Sequence, residues 1–445
     1  MGVFRWLARH DARTTVSNTG DGKLGFWPVV AIGIGGMVGG GIFAVLGLAV
    51  ELAHGGTPVA FALAGVVALL TTYSYAKLSV AYPSRGGTVT FLNKVFGAGK
   101  LTGMLNVLLW LSYIVMLSLY AFAFGSYGAT FFPIAWQAVA KHGLISFVIV
   151  AIAGLNLLSA EAIGRAEKWI VALKIAILLL FVGVGFAGIK IAQIAPLSWS
   201  PPLQLVAGGM IIFVAYEGFE LIANTAQDVR NVAKTLPRAY YTAVGFVIAL
   251  YVLVSLVTVG HLGVQRIVAA KDYALAEAAR PFLGQAGFTM IAIAAMLSTA
   301  SAINATLYGT ARLSRSVAEA DELPEWLEGN VWGQPIWGLL ISAGLTLIVA
   351  NAFDLTSIAT LGSAGFLLIF AAVNVANVRH ASQTNSHRWI SASGAVACIA
   401  ALGALVWQTA QTAPMKLWTL AVMLGVAVVI EAAYRLLKGR FRRVA

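Results

Sequence analysis

Charges, prolines and glycines divide the chain into apolar runs that predict twelve membrane-crossing helices. These are Gly25–Val50, Pro58–Ala81, Leu101–Tyr127, Leu144–Leu158, Trp169–Ile189, Leu203–Thr225, Arg238–His261, Ala286–Gly309, Ile336–Ala352, Thr356–Val378, Trp389–Gln408 and Leu417–Leu436, spans one to twelve in chain order. At ~1.5 Å per helical residue, about 20 apolar residues cross the hydrocarbon layer. The fourth run is short for a full crossing.

Two spans carry interruptions in corresponding places. Span one holds Gly33, Gly35 and Gly36, then the adjacent Gly39, Gly40 and Gly41. Each glycine costs a helix interior roughly 1 kcal/mol against alanine, and a backbone group freed in hydrocarbon needs a partner in the protein or a water-lined cavity. A helix broken beside a cavity is one reading. Close helix packing is the other, because Gly35 and Gly39, and Gly36 and Gly40, are spaced as GxxxG. Span six contains Tyr216-Glu217-Gly218-Phe219-Glu220 in mid-run. If spans one to five form a unit, five is odd, so a second unit starting at span six is inverted. Paired interruptions at matching positions of two such units point to a transport site at the membrane midplane.

Composition agrees with a polytopic membrane protein. Of 445 residues, 60% are hydrophobic and 10% charged, and the mean hydropathy is +0.86, more apolar surface than a soluble core of this size could hide. The first 24 residues are polar and basic without a cleavable signal pattern, so span one is expected to remain in the mature chain. Lys and Arg exceed Asp and Glu to give a net charge of +12. With the N-terminus in the cytoplasm, most basic residues fall in inside segments, and outside loops hold only Lys141, Lys190, Arg266, Lys271, Arg280 and Lys416. Both termini are therefore expected in the cytoplasm of a multi-pass cell-membrane protein. The positive charge reads as topology and attraction to lipid heads, so nucleic acid is not an expected partner. The single cysteine, Cys398, lies in an apolar run and cannot form an intrachain disulfide; a disulfide-linked subunit is not expected.

Several motifs in order resemble one family. Gly39-Gly40-Gly41-Ile42-Phe43 is similar to the GSGIF signature of the amino acid–polyamine–organocation transporters, and Tyr82-Pro83-Ser84-Arg85-Gly86-Gly87-Thr88 to their YPxxGG element. Ala215-Tyr216-Glu217-Gly218-Phe219-Glu220, with Asp228-Val229-Arg230-Asn231 and Leu236-Pro237-Arg238-Ala239, resembles their sixth-span block. Ala233 departs from it where a proline is usual. Ser301-Ala302-Ile303-Asn304-Ala305-Thr306, Gly309, Arg312-Leu313 and Glu322-Leu323-Pro324 resemble the eighth span and the loop behind it. The subset most similar is the proton-coupled prokaryotic amino acid transporters with a lysine in span five, which falls on Lys174 here. The resemblance implies an all-α, leucine-transporter-like fold of two inverted five-helix repeats with spans one and six broken, plus two peripheral spans. The chain would then divide into a cytoplasmic segment 1–24, repeats 25–190 and 203–378, peripheral spans 389–437 and a basic tail 438–445. The resemblance also implies that the ammonium of Lys174 replaces a bound sodium ion among carbonyls of span one and hydroxyls of span eight. Ser298, Thr299 and Ser301 are the hydroxyls available, and Ser298 and Ser301, three apart, share a helix face.

Lys174 also stands out without the family. It is flanked by Ile170-Val171-Ala172-Leu173 and Ile175-Ala176-Ile177, and a charge at such depth costs at least ~2.5 kcal/mol unless paired, so such residues mark ion or proton paths. Snorkelling to the interface is the competing reading. Glu217 and Glu220 bracket the second break. A broken sixth span offers carbonyls that favour a cation, and the second half of span one offers amides near Gly40 and Gly41 that favour an anion. Opposite poles across one cavity suit an amino acid zwitterion, with Gly39, Gly40, Gly41, Tyr216, Glu217, Gly218 and Glu220 as candidate binding residues. Either carboxyl could instead only satisfy the broken backbone. Trp110, Tyr113 and Tyr120 read as packing residues of span three, one of them available to wall the site, and Glu431 as a peripheral, interfacial residue.

The expected function is proton-coupled amino acid symport by alternating access. The alternatives are an amino acid or polyamine exchanger selective for cations, or, in other classes, a channel or a receptor. A channel needs a continuous polar pore, which isolated polar clusters do not make. All six histidines fall near span ends or in loops and no phosphate loop is present, so neither enzyme chemistry, a metal, a cofactor nor ATP-driven pumping is expected.

Overall fold

The computed structural model describes residues 22–97, 99–158, 160–319 and 336–441. The N-terminal residues up to 21, the loop with Glu322-Leu323-Pro324 and the last four tail residues lie outside the described residues, as do the side chains of Arg165, Lys168, Arg312 and Arg315. The described chain is helical, with two isolated bridges and no strand. Among the described residues, ten helices are long and apolar enough to cross a membrane, eleven when the bent pair Phe26–Met37 and Gly41–Ala53 counts as one span. Ile336–Ala352 is a further apolar helix of 17 residues.

The helices follow the apolar runs closely. Span two is Thr57–Ala81, span three Lys100–Ala129, span five Ala160–Gly185 and span seven Val232–His261. Span ten is Leu355–Arg379, span eleven Arg388–Thr412 and span twelve Leu417–Phe441. Span eight belongs to Ala274–Glu319, which kinks at Gly284, whose φ of 63° suits a residue without Cβ. Spans three, six and ten are enclosed on nearly all sides, whereas four, eleven and twelve turn apolar residues such as Val150, Val396 and Val429 outward, as lipid-facing helices do. Exposed Trp27, Trp389 and Trp418 stand near helix ends, where amphipathic rings suit the membrane–water interface.

Two expectations need correction. Span four is a full-length helix, Gln137–Leu158. The charge of Lys141 made the run look short, but its ammonium pairs with Asp272 at 2.7 Å and lies 3.6 Å from the centre of the Phe122 ring, so the helix accommodates it. Glu431 is not left at the periphery: it is 3% exposed, pairs with Arg435 one turn on and packs where Gly103 of span three has no side chain. The helix Gly87–Phe96, behind span two, and the short helix Val264–Ala269, before span eight, were not expected. At 10 and 6 residues they are too short to register as spans.

A buried polar seam joins spans two, ten and eleven. Asn374 donates to Thr71 at 3.0 Å and accepts from Ser74 at 2.7 Å, and Asn377 donates to Ser391 at 2.8 Å. Gly394 leaves the room that Asn374 fills, since a Cβ there would stand 2.6 Å from its Oδ1. Outside the membrane, Asp354 caps span ten by accepting from the Ser357 amide. Burial pushes its carboxyl up, but Lys416 and Ser357 outweigh that and hold it below the ordinary carboxylate value. Interhelical hydrogen bonds in bilayers contribute ~0.6 kcal/mol each on average. Asn374→Leu should therefore destabilise the purified protein by about 1–2 kcal/mol in thermal unfolding, and Val396→Ala, on the lipid-facing side, should leave the midpoint nearly unchanged.

Candidate functional site

Span one breaks at the glycine run. Its first half ends at Met37, Val38-Gly39-Gly40 lie between, and the second half starts at Gly41 at 45° to the first. The break leaves carbonyls to satisfy, and three spans supply donors. From span five, Lys174, 2% exposed, donates to the Gly35 carbonyl at 3.0 Å. From span eight, Ser298 donates to the carbonyls of Val38, at 2.9 Å, and Gly39. From span seven, the Tyr251 phenol donates to Met37 at 2.7 Å and to Ala215 of span six at 3.2 Å. Lys174 and Ser298 thus meet on the broken segment. Thr299 turns its hydroxyl to Ala295 and Met296 of its own helix, and Ser301 is buried three residues beyond Ser298.

The run is broken and closely packed at once. A Cβ on Gly39 would stand 2.7 Å from that of Ala302, one on Gly40 2.2 Å from the Tyr120 ring, and one on Gly41 2.6 Å from the Ala215 backbone. Gly36 meets Gly218 in the same way, with 2.8 Å from its would-be Cβ to the Gly218 oxygen. The two interruptions therefore touch, backbone against backbone, which only glycine permits at this distance. The first-turn amides of the second half, from Gly41 on, have no partner within their own helix, as at any helix start.

Span six runs as Pro202–Ile211, tightens into a 3₁₀ turn over Ile212–Tyr216, breaks at Glu217-Gly218 and resumes as Phe219–Asp228. Gly218 has φ +116°, a conformation that a side chain would strain. Glu220 closes the break: it accepts the Gly218 amide at 2.8 Å and the Tyr113 phenol at 2.9 Å. Glu217 accepts the Tyr120 phenol at 3.2 Å. Both acids are buried, at 2% and 1% exposure for Glu217 and Glu220. Tyr216 points elsewhere, donating to Phe61 of span two at 2.8 Å and packing on Tyr251. Ser363 of span ten accepts from the Val214 amide and donates to the Ile211 carbonyl, bridging the tightened turn.

Tyr113 and Tyr120 thus hold the two carboxyls, while Trp110 donates to Ser342. Tyr251 and Ser363 were missed, because a tyrosine or serine inside an apolar run carries no sign of which backbone it serves. A narrow cleft, lined by residues including Gly86, Thr88, Asn224 and Thr310, reaches Tyr113. An amine therefore sits at one break and two carboxyl groups at the other, each beside rebridged backbone. Such a site can hold a small zwitterion and a proton.

A family model described as amino acid permease matches residues 24–429. The inner membrane transport protein YbaT of Escherichia coli (strain K12) is 38% identical over 369 residues, covering 82% of this chain and 85% of that one. An uncharacterized protein of Methanocaldococcus jannaschii is 35% identical over 356 residues, covering 78% and 80%. In fold alone, the chain resembles the crystal structure of a mutant manganese transporter of Eremococcus coleocola, with a TM-score of 0.62 at 12% identity over 98% of this chain and 100% of that one. The match along nearly its whole length places this chain among the amino acid permeases of the amino acid–polyamine–organocation superfamily, membrane transporters with the leucine-transporter-like fold.

Proposed function

We propose that this permease is a proton-coupled amino acid symporter working by alternating access, in the cell membrane with both termini in the cytoplasm. Residues 25–190 and 203–378 act as the inverted repeats, and spans eleven and twelve are peripheral. The observation that carries the reading is the buried side-chain nitrogen of Lys174 on the carbonyl of Gly35, two residues before the first helix half ends. In the cycle, Lys174 takes a proton from outside, and its ammonium, with Ser298, holds the broken first span between spans five and eight. Loss of that proton to the inside releases the segment and the substrate. The proton drives transport only if the two states bind it unequally. The substrate carboxylate is read by the amides from Gly41 on, once the Tyr120 ring leaves Gly40, and the ammonium by the carbonyls and acids of the sixth-span break. The cleft that ends at Tyr113 is the inner half of the path.

A second reading, selectivity for cationic amino acids or polyamines, is favoured by one observation: two buried acids, not one, at the break. Glu220→Gln separates the readings. If Glu220 supplies charge to the pocket, the variant should weaken binding of a cationic amino acid about tenfold or more and a neutral one much less. Equal losses would make Glu220 the cap of the Gly218 amide and no more. Glu217→Gln should give the smaller difference.

Lys174→Ala should abolish accumulation driven by an inward proton gradient in proteoliposomes while retaining part of the substrate binding, because the lysine holds backbone and not substrate. Wild-type uptake should rise as the outside pH falls, collapse with a protonophore and need no sodium. Sodium-dependent accumulation that survives the protonophore would leave Lys174 a structural tether.

A further inference from the structure

Span seven carries, on one outward side, residues that neither the transport site nor the core uses. Lys234, Arg238, Tyr241 and Gly245 follow at helical spacing, so they form one stripe. Lys234 and Arg238 are exposed and, among the described residues, their side chains make no ion pair or hydrogen bond. Together with Thr235 and Phe26, where span one begins, they line an open cleft. Trp27, next to Phe26, is 71% exposed, and Tyr241, one turn beyond Arg238, is 41% exposed. A further turn on, Gly245 is exposed and a Cβ there would meet nothing within 4 Å, which leaves a bare strip of helix. In order along the helix the stripe is cation, cation, aromatic ring, groove.

We propose that this stripe is a binding site for one anionic phospholipid. The headgroup phosphate lies between Lys234 and Arg238, the glycerol region lies against Phe26 and Tyr241, and an acyl chain follows the groove at Gly245. The order of chemistry matches the depth profile of a lipid: charge at the interface, amphipathic rings at the headgroup level and apolar surface beyond. A free phosphate would share the two cations but has no use for the groove. The site also has a mechanical setting. Beside it, Leu24 pairs with the strand-like segment Asp228-Val229-Arg230, its amide on the Asp228 carbonyl and its carbonyl on the Arg230 amide, both at 2.9 Å. A lipid between Phe26 and Lys234 therefore reinforces the join between the start of span one and the end of span six.

The test uses the full-length protein reconstituted in mixed phosphatidylcholine and phosphatidylglycerol, with retained lipid counted by native mass spectrometry after mild extraction. Wild type should keep phosphatidylglycerol in preference to phosphatidylcholine. Each basic residue near an anionic surface adds ~1 kcal/mol, so Lys234→Gln with Arg238→Gln should reduce that preference by about thirtyfold. Lys94→Gln with Lys100→Gln removes two exposed cations elsewhere and should not. Gly245→Leu keeps every charge and fills the groove, and should also displace the lipid. Equal loss in the Lys94 and Lys100 variant, or full retention with Gly245→Leu, would overturn the site in favour of unspecific surface charge. In a thermal-shift comparison, phosphatidylglycerol should stabilise the wild type and millimolar inorganic phosphate should not. Stabilisation by phosphate with none from the lipid would overturn the lipid as its occupant.

Discussion

The contact on which the rest of the structure depends is that of the Lys174 ammonium with the carbonyl of Gly35. A helix broken in mid-membrane exposes carbonyls where no water can reach them, and an unpaired lysine at that depth is equally costly. Each solves the other's problem. Ser298 and Tyr251 complete the set on Val38, Gly39 and Met37, so the broken segment is held from spans five, seven and eight. Take away one charge and the same carbonyls must find another partner or move. That property makes the contact suited to coupling, beyond mere stability.

The two interruptions form one unit. Gly36 lies on Gly218, Gly41 on Ala215, and the Tyr251 phenol touches carbonyls of both spans. A displacement at one break is transmitted to the other through backbone in van der Waals contact, because packed interiors shift between discrete arrangements and do not deform smoothly. In the proposed cycle this is how proton release beside span five reaches the carboxyls of span six. Around this unit the polar seam of Asn374 and the enclosed third span supply a fixed frame.

Much of this was legible in the sequence. Apolar runs placed the helices, since the bilayer demands length and hydrophobicity, and glycines and acids within two runs marked the breaks. Lys174 was legible for the same reason, being a charge where charge is costly. Packing and a break were not exclusive for the glycine run: it breaks the helix, and its bare Cα atoms are also what lets Tyr120, Ala215 and Ala302 approach. Lys141 and Glu431 misled because their partners, Asp272 and Gly103, are distant in sequence. Tyr251 and Ser363 were out of reach for a like reason, as were the carboxyl partners of Tyr113 and Tyr120. A hydroxyl in an apolar run is identical whether it packs, bonds its own helix as Thr299 does, or bridges a break in another.

The central claim, that a proton crosses with the substrate, is tested most directly by watching the proton. Proteoliposomes loaded with a pH-sensitive dye, free of sodium and with potassium and valinomycin clamping the voltage, are given an inward gradient of amino acid at equal pH. The account predicts that the lumen acidifies as substrate enters and that the Lys174→Ala protein, matched for insertion, produces no acidification. Wild-type substrate entry with no change in luminal pH would contradict it.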